Sequence, residues 1–187
     1  MTTVPLAPMP ISTEAAPVRP APSTLTDKFK AVFRTHPAGV GVITADDGSG
    51  PVAMTVSSLA SVSAEPPFVV FSLSDFSRSS AIVRKAPTLV VHLPRAEQVE
   101  LAKLGATPGV DRFADRSQWG RLETGEPYFP VSGRRLRCSI VTEVRAGNAT
   151  VILARVLDIT DDPEEDGGPL VYHNRTWHSL GAHSAVS

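Results

Sequence analysis

Residues Ala149–Ile159 are apolar on both alternating faces, with Val151, Leu153 and Leu157 on one and Ile152, Ala154 and Val156 on the other. Successive side chains of a strand point to opposite sides, so a strand of this kind must be covered twice, as in a barrel wall packed beneath helices or a second subunit. Val40–Ala45, Val52–Leu59, Phe68–Leu73, Leu89–Leu93, Arg137–Arg145 and Leu170–His173 are further short segments rich in Val, Ile, Leu and Thr. Turn signals separate most of them. Asp46-Asp47-Gly48-Ser49-Gly50 and Ala146-Gly147-Asn148 are compact enough for hairpins, which makes the neighbouring strands antiparallel. The pattern predicts a mainly β domain with short helices.

The helices are few. Thr26 or Asp27 is placed to cap a short helix with Phe29, Val32 and Phe33 on one face, suited to covering a barrel end. Two insertions, near Ser79–Lys85 and Arg95–Leu104, interrupt the strands. Residues 105–135 read as one irregular stretch holding Phe113, Trp119, Tyr128 and Phe129, and a loop of that length is more often functional than idle. With 187 residues there is room for one ordinary domain and a tail. Pro5, Pro8, Pro10, Pro17, Pro20 and Pro22 predict a disordered tail over 1–25. The domain is then expected over 26–182, with a flexible C-terminus over 183–187.

A net charge of -1 gives no footprint for nucleic acid. A single cysteine, Cys138, provides neither a disulfide framework nor a zinc knuckle. No apolar stretch has the length of a membrane span, and the N-terminus lacks the basic and apolar regions of an export signal. The expected location is therefore cytoplasmic. The glycine pairs Gly39/Gly41 and Gly48/Gly50 lack the third glycine of a dinucleotide fingerprint, and no phosphate-binding P-loop is present. His173 and His178 have no nearby carboxylate or cysteine to complete a metal set. No nucleophile elbow singles out a serine.

Two hydroxyl-rich segments remain. Met54-Thr55-Val56-Ser57-Ser58 offers donors and acceptors for the polar edge of a flat heterocycle, with Met54 and apolar neighbours against its face. The same alternation is also ordinary amphipathic strand texture. Ser77-Arg78-Ser79 opens a predicted helix, where free N–H groups and a guanidinium suit a phosphate. A plain N-cap beside a solvated arginine has the same appearance.

Several strings occur together in collinear order. They are Phe33-Arg34, Ala38-Gly39-Val40-Gly41-Val42-Ile43-Thr44, Met54-Thr55-Val56-Ser57-Ser58 continuing to Glu65-Pro66-Pro67, Ser77-Arg78-Ser79, Glu97-Gln98-Val99-Glu100-Leu101-Ala102, Asp111-Arg112-Phe113-Ala114, Leu136-Arg137-Cys138 and Pro169-Leu170-Val171-Tyr172-His173. Over roughly residues 28–180 this order resembles the flavin reductase-like family of FMN-binding split-barrel proteins.

The resemblance implies a homodimeric Greek-key split β-barrel binding FMN or FAD near the subunit interface. It also implies oxidation of NADH or NADPH with hydride transfer to the flavin, and delivery of reduced flavin to a partner monooxygenase. The hydride step itself asks for no protein acid or base, because the cofactors carry it. By motif matching, Met54, Thr55, Val56, Ser57 and Ser58 line the flavin ring and ribityl chain, while Ser77, Arg78 and Ser79 take the phosphate side. His92 stands where the family usually has asparagine and is expected among the flavin contacts. The nicotinamide side falls to Asn148, Ala149 and His173. Gly147-Asn148-Ala149 replaces the family's Gly-Asp-His, and alanine cannot stack or hydrogen-bond as imidazole does. Two alternatives follow from that departure and from the tail: a flavin enzyme of this fold without pyridine-nucleotide chemistry, and a non-catalytic accessory subunit.

Overall fold

The structure is a computed structural model that describes residues 24–162 and 167–186. The expected tail lies outside the described residues, except for Thr24 and Leu25, which already belong to the first helix.

In chain order, α1 (Thr24–Arg34) leads into β1 (Ala38–Gly39), β2 (Gly41–Ala45), β3 (Val52–Val56), β4 (Ala60–Ala64) and β5 (Pro67–Ser74). Next come α2 (Arg78–Lys85), β6 (Leu89–His92) and α3 (Val99–Ala106), then the short pair β7 (Gly120–Arg121) and β8 (Pro127–Tyr128). The chain continues with β9 (Arg135–Ala146), β10 (Ala149–Thr160), β11 (Leu170–His173) and β12 (Thr176–Ser179). Seven strands form one antiparallel sheet in the order β3-β2-β6-β9-β10-β5-β4. A smaller sheet has the order β1-β11-β12.

The edge strands of the large sheet, β3 and β4, are consecutive in the chain and joined only by Ser57, Ser58 and Leu59. That short link draws the two edges together and leaves a seam between them. Ser58 ties the link to β5: its Oγ accepts the Ser72 N–H at 2.9 Å, two residues past the last β4–β5 pair, Ala60↔Val70. A side chain thus replaces a missing ladder bond.

The predicted hairpins are present. Asp46 Oδ1 accepts from the N–H groups of Gly48 and Gly50 in the β2–β3 turn, and Gly147 turns β9 into β10 at φ 67. Two-sided burial, however, belongs to β2 and β6, in which every residue is buried. Ile43, Ala45, Leu89 and Val91 point into the barrel core with Phe71, Leu73, Ile152 and Cys138. Val42 faces a second core with Ala53, Leu101, Ala102, Phe113, Phe129 and Leu170. In β10 the inner residues Thr150, Ile152, Ala154 and Val156 are buried, while the outer face stays partly open and Leu157 and Ile159 are exposed. The register shifts in β4, β9 and β10 leave Val62, Val141 and Leu157 unpaired and exposed. These are bulge residues.

Two further expectations change. α1 begins at Thr24 and buries nothing; Leu25, Phe29, Val32 and Phe33 are all exposed, so the helix covers no barrel end within one chain. The end is closed instead by the stretch after α3, which is a packing element. Phe113 stacks on Phe129 at 5.3 Å between centroids and meets Trp119 edge-on at 5.0 Å. The Trp119 indole N–H donates to the Phe113 carbonyl at 2.9 Å. Near the C-terminus, Ala182–Ser184 form a 3₁₀ turn.

Candidate functional site

A cleft of about 800 Å³ opens beside the seam, between α1, the β3–β4 link and the β11–β12 hairpin. Its lining includes Ser57, Ser58 and Leu59 from the link, Phe33 and Tyr172 as aromatic walls, and Gly39 on the floor. Lys30, Arg34, His36 and Arg175 also line it, and among the described residues no carboxylate does. Such a space accepts a flat, partly apolar ring system bearing negative charge.

The hydroxyl segment divides where β3 ends, because Thr55 lies within the strand and Ser57 and Ser58 lie in the link beyond it. Ser57 and Ser58 are exposed at the cleft, with the Ser58 Oγ also 3.0 Å from the Ser72 Oγ. Thr55 turns the other way and donates to the Ala102 carbonyl of α3 at 2.6 Å. The approach there is tight: a Cβ on Gly105 of α3 would lie 2.4 Å from the Thr55 Oγ1 and 3.1 Å from its backbone nitrogen. Glycine therefore seats α3 against β3 and fixes the height of the serine link that follows. Val56 is buried in the barrel core. Met54 points toward α2, where the Ser80 hydroxyl reaches its sulfur at 3.9 Å.

Ser77, Arg78 and Ser79 open α2 as expected, and the Ser77 hydroxyl makes no capping bond. Arg78 is exposed, with Ser77 and Ser79 half-buried. This corner adjoins Asn148 and Ala149: the Asn148 carbonyl accepts the Asp75 N–H at 3.0 Å, and Ala149 pairs with Ser74. Thr150 Oγ1 donates to the Asp75 carboxylate at 2.8 Å and secures the corner.

His92 is not an open contact. It is fully buried, its Nδ1 is 3.0 Å from the Val42 carbonyl, and its Nε2 accepts the Phe129 N–H at 3.0 Å. Those partners require a neutral ring carrying its proton on Nδ1. Burial, aided by Arg135 and opposed by the bond to Val42, pulls its pKa down to about 4. With both nitrogens committed to backbone, this side chain has nothing left for a flavin, and its role is to join β6, β2 and the closing loop.

His173 is likewise separated from the cleft. Strand alternation turns Tyr172 into the cleft and sends His173 to another hollow of about 300 Å³, with His178 at 5.7 Å and His183 nearby. The three residues expected on the nicotinamide side are therefore not brought together: Asn148 and Ala149 stand by α2 and His173 stands behind the small sheet. Lys30, Phe33, Arg34, His36, Tyr172 and Arg175 line the cleft although motif matching gave none of them a site role. Their one sequence signal was a concentration of basic and aromatic residues at both ends of the domain.

Cys138 is buried, and burial alone pushes its thiol up to about 12, so it contributes no thiolate. Among the described residues, no cluster of His, Cys, Asp and Glu is arranged to hold a metal ion. No described helix is long and apolar enough to cross a membrane.

Comparison with known proteins agrees with this architecture. The family model for the flavin reductase like domain matches residues 33–181. An NADH:FMN oxidoreductase from Rhodococcus qingshengii is 37% identical over 152 residues, covering 80% of this chain and 79% of that protein. The reductase component of a 4-nitrophenol 4-monooxygenase/4-nitrocatechol 2-monooxygenase from Rhodococcus opacus is 28% identical over 176 residues, covering 86% and 90%. Among solved structures, the NADH:FAD oxidoreductase of Streptomyces globisporus C-1027, in complex with NAD and FAD fragments, superposes with a TM-score of 0.75 at 27% identity, covering 85% of this chain and 94% of that one. A family match across the whole seven-stranded sheet, on a split-barrel fold shared with flavin reductases, places this chain in the flavin reductase like domain family.

Proposed function

We propose that this protein is an NAD(P)H-dependent flavin reductase that supplies reduced FMN or FAD to a separate monooxygenase. The observation that carries the reading is the cleft at the barrel seam, which combines hydroxyls, aromatic walls and several cations, with no carboxylate among the described residues that line it. Relatives named as an NADH:FMN oxidoreductase and as a monooxygenase reductase component support it.

The flavin supplies the hydride acceptor and the pyridine nucleotide the donor. The protein's part is binding, alignment and exclusion of water. Ser57 and Ser58 are placed to hydrogen-bond the polar edge of the ring, and Ser77, Arg78 and Ser79 are proposed for the flavin phosphate. Phe33 and Tyr172 give the cleft flat apolar faces. Among the described residues neither a thiolate nor a buried acid lies at this cleft, in keeping with a reaction whose redox chemistry belongs to its small-molecule partners.

A second copy of the chain is the proposed cover for the exposed apolar groups on α1 and on the outer face of β9 and β10. Phe29, Val32, Val144, Leu157 and Ile159 are each at least 45% exposed. That is more apolar surface than a small domain ordinarily leaves to water. Sedimentation equilibrium is expected to give the mass of two chains at micromolar concentration; a monomer there would remove this reading of the surface.

The function is tested by anaerobic titration. The protein with FMN or FAD is mixed with NADH or NADPH, and the visible absorbance of oxidised flavin is followed. Bleaching at a rate that scales with protein concentration is expected. Binding of flavin without bleaching would favour the enzyme of this fold that does not use pyridine nucleotide, which Ala149 motivates.

A further inference from the structure

The β11–β12 hairpin turns through Asn174 and Arg175, both with positive φ, at 47° and 62°. A two-residue turn of this hand favours asparagine followed by glycine. Asparagine tolerates the left-handed region, whereas arginine in the second position sets its Cβ against its own backbone. A strained residue kept where glycine would relax the turn invites a reason outside the turn.

The Arg175 side chain lines the 800 Å³ cleft together with Lys30 and Arg34. None of the three makes a side-chain hydrogen bond or ion pair among the described residues, and no carboxylate lines the space they share. Four arginines elsewhere are matched to carboxylates: Arg84 to Glu143, Arg121 to Asp46, Arg134 to Asp161 and Arg137 to Glu126. The cleft cations are also held in a fixed relation. The Asn174 N–H donates to the Arg34 carbonyl at 2.8 Å, tying the turn to the end of α1. Tyr172 and Trp177, 4.6 Å apart, brace the hairpin behind it.

We propose that Arg175, with Lys30 and Arg34, forms a clamp for the diphosphate bridge of the pyridine nucleotide. This deepens the reductase reading and rests on it. Like charges gathered without counterions are stabilised by an anion that neutralises them, and a guanidinium suits phosphate oxygens by its fork of donors. The clamp accounts for nucleotide binding in a chain whose Asn148 and Ala149 corner offers no imidazole. A monophosphate of the flavin has the same chemistry, so the test separates the two sources.

The test uses the full chain and its Arg175→Gly and Arg175→Lys variants, with ADP as the diphosphate probe. Binding is read by calorimetry, KM for NADH by flavin reduction, and FMN affinity by fluorescence. Arg175→Gly relaxes the turn, so the variant is expected to melt at or above the parent temperature, and a folding failure would contradict the strained-turn argument. Expected results are a loss of about 10-fold in ADP affinity, a rise of similar size in KM for NADH, and recovery of most of the binding with lysine. FMN affinity should change by less than about 2-fold, being governed by contacts outside the clamp. Equal ADP affinity in the parent and the glycine variant would overturn the proposal. So would a loss confined to FMN, which would assign the cations to the flavin phosphate. A parent that binds ADP through Arg175 yet never bleaches flavin would sink the reductase reading while leaving the diphosphate clamp standing.

Discussion

His92→Ala is expected to lower the free energy of unfolding by about 4 kcal/mol, because it removes a filled core volume and leaves two buried backbone groups without partners. The ring is wholly enclosed, spans from the Val42 carbonyl to the Phe129 N–H, and lies 5.9 Å from the Phe129 ring. For a domain of this size that loss corresponds to a fall in melting temperature of about 10 °C. Urea unfolding at pH 7.5 measures it, and a loss below about 1 kcal/mol would contradict the bridging role.

The same histidine sets a direction with pH. Its unperturbed pKa is 6.5 and its folded value is about 4, with burial the main cause. Between these values the unfolded chain binds a proton that the folded chain refuses, so stability is complete above pH 6.5 and declines as pH falls to about 4. In His92→Ala this part of the decline should disappear. A parent whose stability is flat from pH 7 to 5 would count against a neutral, buried His92.

The second large effect is expected at Glu126, where a buried carboxylate gathers the other end of the closing loop. It is 4% exposed, accepts from Thr88 and Thr124, and pairs with the Arg137 Nε at 2.7 Å. Burial works against its ionisation, but the hydrogen bonds from Thr124, Thr88 and Arg137 prevail and bring its pKa down to about 2. Glu126→Ala strands Arg137 and both hydroxyls, and should cost about 3 kcal/mol. The carboxylate contributes its full stability above its ordinary value of 4.5 and loses it as pH falls toward 2, the reverse of any base-induced loss. Acid unfolding followed by circular dichroism should therefore show a shallower pH dependence in the variant over that window. An identical acid profile in parent and variant would refute the assignment.

Both predictions concern how residues 107–134 are fastened, and this stretch shows where sequence reading reached its limit. Its length and aromatics predict a functional loop. Its actual work is to close one end of the barrel, fixed by His92, Glu126 and the Thr44 hydroxyl, which donates to the Pro127 carbonyl at 2.5 Å. Nothing local announces such anchoring, since Thr44 and Pro127 are far apart in the chain. β4 and β12 escaped detection for a different reason. Ala-Ser-Val-Ser-Ala alternates, but its apolar members are mostly small and it continues a serine-rich run, while Thr-Trp-His-Ser has a single apolar residue; both strands are mostly exposed.

The sequence by itself determined the β character of the domain, its main hairpins, the serine segment and the family. These follow from alternation, turn chemistry and motif order, which are properties of neighbouring residues. Only the tertiary structure decided that Ser57 and Ser58 reach the cleft while Thr55 turns to α3, that Tyr172 rather than His173 faces it, and that Lys30 and Arg34 meet Arg175. A strand's side chains alternate faces, but which face looks onto a cleft depends on register and on elements distant in sequence, so one step along the chain separates a site residue from a core residue.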